Sequence, residues 1–148
     1  MGLREALQKV TGVWVGDYTH LEPDGALVDR HACRQEVRLI GDAWFERIIY
    51  RWPDGREEVQ DFRARVDGER MVMDDPNFHG ETFRVRDDLI VFPYFWKDRP
   101  ERRIVETVVF TDTDHRTRVW QTHVGTDLQR LTVIRETRRP AETPAEWS

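Results

Sequence analysis

Several residue types that support common chemistries are scarce in this chain. Cys33 is the single cysteine, which excludes an intrachain disulfide and a metal site built from several cysteines. Ser148 is the single serine, so catalysis by a serine nucleophile is nearly excluded. Nearly all basic residues are arginine, and they are mixed with acidic residues along the chain rather than grouped in blocks. The lack of a basic stripe argues against nucleic acid as a partner.

Long hydrophobic runs are also missing. The first ten residues contain no apolar signal-peptide core, and no segment approaches the length that spans a membrane. These absences predict a cytoplasmic protein with no membrane partner. The five histidines show no His-Glu-x-x-His or similar metal-binding spacing, so neither a metal nor another cofactor is predicted.

The residues that are present describe one folded domain. At 148 residues the chain is long enough for one domain that buries roughly 70% of its unfolded surface, and too short for two ordinary domains. Its six tryptophans and seven phenylalanines argue against disorder. We predict a single β-barrel domain over residues 1–138. The remainder, 139–148, has two prolines and no periodicity and is predicted to be a flexible tail.

The hydrophobic periodicity changes once along the chain. Leu3, Ala6, Leu7 and Val10 recur at helical spacing and Gly12 follows, which predicts a short N-terminal helix. From there on, short alternating segments are separated by Asp-Gly and Pro-Asp-Gly turns, a pattern typical of antiparallel hairpins. We count about ten strands. Closure into an up-and-down β-barrel removes the two edges that an open meander would expose, so an all-β antiparallel barrel is predicted.

The first predicted strand contains the distinctive stretch GVWVGDYTH, in which Trp14, Gly16, Tyr18 and His20 share one face. A Gly-x-Trp sequence that opens the first strand behind a short helix, here Gly12 to Trp14, followed by an up-and-down meander, resembles the calycin superfamily. That superfamily includes lipocalins, fatty-acid-binding proteins and bacterial lipocalin-like proteins of unknown function.

The resemblance implies a role for Trp14 at the closed end of the barrel, where an arginine from the last strand packs across its ring. Arg135, in the stretch LTVIRETR, is the predicted partner, with Arg130 as the second choice. A guanidinium over an indole gains a cation-π interaction. Gly12, Trp14 and Arg135 are therefore the predicted closure residues. The last strand departs from the Arg-x-Tyr of fatty-acid-binding proteins, because Glu136 and Thr137 follow, which argues against a fatty-acid ligand.

Several other strands carry large aromatic residues at alternate positions, as expected for the lining of a small-molecule pocket. The predicted lining residues are Tyr18, Tyr50, Trp52, Tyr94, Trp96 and Trp120. The predicted function is binding of a small, largely apolar or aromatic ligand inside the barrel. The alternative that these rings fill the barrel and leave no cavity stays open.

Two further functions are alternatives. An enzyme on the same barrel, an isomerase, cyclase or hydratase of a hydrophobic substrate, would use His79 with Glu81, or His123 with Tyr94, as acid and base. Heme binding through His79 or His123 is the other. The predicted partner is a small hydrophobic molecule, and a homodimer is an open alternative.

The remaining histidines and the lone thiol are predicted to be unreactive. His20, His31 and His115 lie in or near predicted turns and are expected on the solvated surface. Cys33 is expected to be an inert structural thiol.

Overall fold

A computed structural model describes residues 2–146 as one short helix and ten strands. The elements are α1 (Leu3–Val10), β1 (Gly12–Leu21), β2 (Leu27–Ile40), β3 (Ala43–Arg51), β4 (Glu57–Asp67), β5 (Arg70–Asp74), β6 (Phe78–Arg86), β7 (Leu89–Trp96), β8 (Arg99–Asp112), β9 (His115–Val124) and β10 (Asp127–Arg138). Each strand pairs antiparallel with its neighbours in sequence, and β1 pairs with β10, so the sheet closes. The predicted fold is confirmed. No helix in this range is long and apolar enough to cross a membrane.

The predicted turn sequences form the hairpin connections. Gly25 and Gly55 end the two Pro-Asp-Gly turns with φ of +94° and +91°, a conformation that favours glycine. In both turns the aspartate side chain, of Asp24 or Asp54, accepts a hydrogen bond from the backbone N–H two residues later, at 3.0 and 2.9 Å. Local sequence therefore determines where these strands end.

Helix α1 covers one end of the barrel, which we call the closed end. The four apolar residues of its inner face are buried against side chains from six strands. These barrel side chains are Val37, Trp44, Val66, Met71, Ile90, Phe92 and Val108. The opposite end, where the turn between β1 and β2 lies, we call the open end. The helix packs over this end of the barrel because exposure of its apolar face to water is unfavourable.

The C-terminus of α1 is bonded to the barrel. The Trp14 indole N–H donates to the Val10 carbonyl at 2.9 Å. Arg138, the last residue of β10, donates to the carbonyls of Thr11 and Lys9 at 2.6 and 2.5 Å. These carbonyls lack helical partners, so the bonds satisfy polar groups that the helix end would otherwise leave open.

Two interior glycines allow close approach of neighbouring strands. A Cβ atom on Gly16 of β1 would lie 1.8 Å from the Arg135 carbonyl oxygen, and one on Gly80 of β6 would lie 2.1 Å from the Pro93 oxygen. No side chain fits at such distances, so glycine is required at both positions.

The segment predicted as a tail, 139–148, is described as far as residue 146. The Arg139 N–H donates to the Val13 carbonyl at 2.8 Å, and the Ala145 N–H donates to the Glu36 carboxylate at 2.6 Å. This part of the chain therefore runs along the outside of β1 and β2, next to the buried Val13. Residue 1 and residues 147 and 148, including Ser148, lie outside the described residues.

Candidate functional site in the barrel interior

The six aromatic residues predicted to line the interior belong to one cluster in the half of the barrel nearer the open end. The three tyrosines, Tyr18, Tyr50 and Tyr94, are buried members of this cluster, and the three tryptophans pack against it while partly exposed. The structure therefore brings all six together. Their contact with a ligand stays a prediction.

The rings form two groups. The His31 group surrounds that imidazole, with Tyr18 stacked on it at 4.9 Å between centroids and Trp52 at 4.4 Å. The Phe78 group includes Trp96 at 4.1 Å and Phe62 at 4.5 Å. The first group comes from β1, β2 and the residue that follows β3, and the second from β4, β6 and β7, so aromatic faces line different sides of the same interior.

A buried ionic network lies beneath the aromatic cluster. Glu136 of β10 accepts hydrogen bonds from Arg116 at 2.9 Å and from Arg118 at 2.7 and 3.1 Å. Arg118 also donates to Glu106 at 2.9 Å and to the Tyr18 hydroxyl at 2.8 Å. Burial by itself would raise the pKa of Glu136, but the two guanidiniums outweigh it and lower that pKa to about 2. The carboxylate is therefore ionised.

Glu46 extends this network, and its pKa is raised. Its carboxyl group accepts a hydrogen bond from the Gln35 amide, whose oxygen accepts from Arg116. Burial, reinforced by the charge of Glu106, raises the pKa of Glu46 to about 7. The centre of the barrel thus holds two guanidiniums, two carboxylates and one carboxyl group that titrates near neutral pH.

The sequence analysis predicted no ionic network in the interior, although a signal existed. Glu46 alternates with Ile48 and Tyr50, and Arg118 alternates with Trp120, on faces already predicted to point inward. A buried network was not predicted from these positions because carboxylates and guanidiniums are almost never fully buried unless paired. Here they are paired with one another.

The arginine partner of Trp14 differs from the prediction. Arg116 and Arg138 lie over the buried indole, with guanidinium carbons 4.2 and 4.3 Å from its centroid. Arg135 is exposed on the outer face of β10. The correction follows from the two-residue alternation, because the buried Ile134 and Glu136 place even-numbered side chains of this strand inside. An arginine of the last strand does pack across Trp14, but it is Arg138.

Two histidines expected on the surface lie inside the barrel near the open end. His31 is 4% exposed, and its Nε2 lies 2.9 Å from Nε2 of His20. His20 Nδ1 lies 2.9 Å from the hydroxyl oxygen of Thr132, which is also buried. Burial, together with His31, lowers the pKa of His20 to about 4. His115 does lie at the surface, beside Asp112 at 2.8 Å.

The predicted acid and base residues do not meet in the interior. His79 and Glu81 share the outer face of β6, where His79 approaches Asp74 at 4.0 Å and Glu81 pairs with Arg70 at 3.2 Å. His123 forms a hydrogen bond with Gln121 at 3.1 Å on the outer face of β9.

Tyr94, the partner predicted for His123, lies on the other side of the barrel wall. Its ring is 6% exposed and contacts Phe62 and Phe78 in the interior. Burial raises its pKa well above the ordinary value, so the hydroxyl stays protonated.

Cys33 is buried in the same interior, and burial raises the pKa of its thiol above the ordinary value. It therefore stays a thiol at neutral pH and lacks the thiolate needed for nucleophilic attack. Within residues 2–146 no group of three or more His, Cys, Asp or Glu side chains is placed to hold a metal ion.

A polar recess of about 600 Å³ lies at the open end. It is lined by Glu22, Pro23, Arg99, Glu101, Arg102, Thr122, Val124, Gln129 and Arg130. Thr122 is buried, and Arg102 and Arg130 are half-buried, so the recess joins the rim to the interior along β8, β9 and β10. The candidate site combines this polar rim with the aromatic cluster below it.

Comparisons with known proteins support the fold and assign no activity. No protein-family model matches the chain, and no curated protein sequence does. Among solved structures, a protein of unknown function from the DUF3598 family of Nostoc punctiforme is 15% identical over 90% of this chain, with a TM-score of 0.74. This chain spans about half of that protein, 49% of its length.

Two further structures match this chain over nearly the whole of their own length. Rv2717c from M. tuberculosis is 16% identical over 94% of this chain and 98% of its own, with a TM-score of 0.68. A redesigned β-barrel, mFAP1, bound to DFHBI, is 12% identical over 90% of this chain and 99% of its own, with a TM-score of 0.50. At these identities the likeness is one of fold.

Proposed function

We propose that the barrel binds a small, largely apolar or aromatic molecule in its open-end half. The observation that carries this proposal is the position of three half-buried rings, Trp52, Trp96 and Trp120, which pack against the buried aromatic cluster in the open-end half. Large aromatic surfaces that remain partly in water gain free energy when a ligand covers them, by about 25 cal/mol per Å² of apolar area. A flat aromatic molecule fits this requirement.

One unpaired polar atom at the same place supports the proposal. The indole N–H of Trp96 is buried and has no hydrogen-bond partner. The other two indoles of the set are satisfied, since Trp52 donates to Asp29 at 2.9 Å and Trp120 donates to Glu106. A buried donor without a partner costs free energy, and an acceptor atom on a bound molecule would recover it. The structurally similar designed barrel bound to DFHBI offers a parallel for small-molecule binding.

We also propose that this barrel is related to calycin-type barrels, and the support comes from its closed end. Trp14 lies beneath α1, and Arg138 of the last strand packs across its ring. This is the arrangement that the resemblance implied, with the arginine three positions later than predicted. Helix α1 and the apolar side chains packed against it fill this end, so the proposed ligand enters from the open end.

The alternative functions have less support from the geometry. An interior enzyme site needs its acid and base to face one cavity, whereas His79, Glu81 and His123 lie on the outer face. The same placement puts His79 and His123, the two histidines predicted as heme ligands, outside the interior. Binding is therefore the function that we put forward.

The direct test measures fluorescence of the neutral apolar dye Nile red during titration with the protein. We expect saturable binding to the wild type and a loss of about fivefold or more in affinity for W96F, because an interface aromatic that contacts the ligand dominates its binding. W44F is the matched control. Trp44 is another interior tryptophan, but it lies fully buried at the closed end, away from the open-end cluster.

Native mass spectrometry of protein purified from its own host gives the second readout, since a retained small molecule would identify the natural ligand. The proposal fails if no dye and no retained molecule is detected. Equal losses of dye affinity in W96F and W44F would also contradict it, because they would indicate a general loss of structure.

A further inference from the structure

The arginines that project into the barrel divide into two classes. Four of them have carboxylate partners, as Arg116 and Arg118 show with Glu136. The other two of these four are Arg84 and Arg138, which approach Asp87 at 2.9 Å and Asp114 at 3.6 Å. The second class comprises Arg102 and Arg130, for which no carboxylate lies within 4.0 Å among the described residues.

The two unpaired arginines flank one buried hydroxyl. Arg130 of β10 is the cross-strand partner of Thr122 in β9, and Thr122 is in turn the partner of Ile104 in β8. Arg102 precedes Ile104 by two residues, so it lies on the same face one step nearer the rim. Arg102, Thr122 and Arg130 line the same recess.

These guanidiniums are poorly compensated where they stand. Both side chains are half-buried, and the Nε atom of Arg130 is fully buried with no hydrogen-bond partner. The positive charge of Arg130 also disfavours protonation of the nearby His20. A protein that pairs its other interior arginines with acids leaves these two free, although an unpaired buried charge costs stability. An anion supplied from outside would compensate both.

We propose that Arg102 and Arg130, with the Thr122 hydroxyl between them, bind the acidic group of an amphipathic ligand, whose aromatic body lies in the open-end cluster. The inference rests on the proposed function and specifies its ligand class as an aromatic carboxylate, sulfonate or phosphate. Guanidinium forks match the paired oxygens of such groups, and charge-assisted hydrogen bonds are roughly twice as strong as neutral ones.

The recess also explains why the acidic group would stay at the rim. Beneath it the interior guanidiniums of Arg116 and Arg118 are already paired with Glu136 and Glu106, so they are not available to a further anion. The acid is therefore held at the arginines while the ring system extends toward Trp96 and Trp120, which lie among the buried aromatics.

A matched pair of probes tests the inference by titration calorimetry. 2-Naphthoate and its neutral isostere 2-naphthamide have the same ring system and differ in charge. We expect the wild type to bind naphthoate at least tenfold more tightly than naphthamide. R102M and R130M should each weaken naphthoate binding about tenfold and leave naphthamide binding unchanged. R135M is the control, because Arg135 projects from the outer face of the same strand as Arg130.

The outcomes separate the inference from the function on which it rests. Equal affinity of the wild type for both probes would overturn the acidic-ligand assignment and leave small-molecule binding intact. Binding of neither probe would count against the proposed function itself, and the inference would fall with it. Thermal melts without ligand complete the test: R102M and R130M should melt no lower than the wild type, whereas a marked loss would assign these arginines a structural role instead.

Discussion

The Nε2 atoms of His20 and His31 lie 2.9 Å apart, and the other nitrogen of each ring determines which one carries the proton. His31 Nδ1 lies 3.2 Å from the Ala32 carbonyl, which can only accept, so this nitrogen carries hydrogen and Nε2 of neutral His31 is an acceptor. His20 must then donate from Nε2 and accept at Nδ1 from the Thr132 hydroxyl. Every ring nitrogen of the neutral histidine pair thus has a hydrogen-bond partner, and the position of each ring N–H hydrogen is determined.

A first prediction concerns acid stability. The pKa of His20 is lowered from 6.5 to about 4 in the folded state by burial and by His31. Between these values the unfolded chain binds more protons, so the stability contributed by neutral His20 is complete above pH 6.5 and is lost as the pH falls to 4. We expect a loss of about 1 to 2 kcal/mol, below the full linkage value because the ring is partly exposed.

Urea unfolding at pH 7 and pH 4.5 measures this loss. H20Q, which cannot take up the proton, should lose less stability over this interval than the wild type. H123Q, altered at a half-buried ring on the outer face, serves as the control and should keep the wild-type pH dependence. Identical pH profiles for H20Q and the wild type would contradict the prediction.

A second prediction concerns the buried carboxyl group of Glu46 and has the opposite sign. Burial and Glu106 raise its folded pKa from 4.5 to about 7. The folded state therefore holds this proton while the unfolded chain releases it, and stability is lost as the pH rises from 4.5 through 7. E46Q mimics the neutral carboxyl group. Its free energy of unfolding should exceed that of the wild type by about 2 kcal/mol at pH 8 and equal it at pH 4.5.

The measurement is again urea unfolding, with E81Q as the control. Glu81 pairs with Arg70 on the outer face, and both side chains are about half exposed, so its replacement should change stability little at either pH. A stabilisation of E46Q that is the same at both pH values would show that charge at this position is not the cause.

A third prediction compares a buried ion pair with an exposed one. E136Q removes the carboxylate shared by Arg116 and Arg118, which are almost completely buried. Breaking such a pair from one side leaves uncompensated buried charge and should cost about 3 to 5 kcal/mol of unfolding free energy. D61N breaks the exposed pair between Arg47 and Asp61 and should cost about 1 kcal/mol or less. Similar losses in the two variants would contradict the proposed importance of the network.

A fourth prediction tests the closure of the barrel by Arg138 rather than Arg135. R138M removes the bonds to the Thr11 and Lys9 carbonyls and the contact with Trp14, and should cost about 2 kcal/mol. R135M, on the exposed face of the same strand, should change stability by less than about 0.5 kcal/mol.

Hydrogen exchange locates the effect of the fourth prediction. The amides of α1 should exchange faster in R138M than in the wild type, since its C-terminus loses two bonds to the barrel. The reverse ranking of R138M and R135M would restore the original assignment.

Much of the fold was predictable because its signals are local. The two Pro-Asp-Gly turns bring aspartate and a positive-φ glycine together within three residues, so they end strands whatever lies across the barrel. The alternation around Trp14 and Tyr18 placed both rings on one face, and both are inside. Of the candidate site, the six aromatic residues were predictable for the same reason.

The histidines and charges were harder to predict because their environment comes from distant strands. His20 already shared the inward face of Trp14 and Tyr18 in the sequence, yet the nearby turn outweighed that signal in the prediction. What removes His20 and His31 from water is their contact across two strands together with Thr132, which lies more than 100 residues further along the chain.

The sequence by itself determined the number of strands, their turns and the alternation of their side chains, because these depend on neighbouring residues. Only the tertiary structure decided which groups meet. The pairing of β1 with β10 brings Tyr18 opposite Ile134, and barrel closure joins Arg116, Gln35 and Glu46 from three separate strands. Such contacts depend on the register of strands that are far apart in sequence, and no local pattern encodes that register.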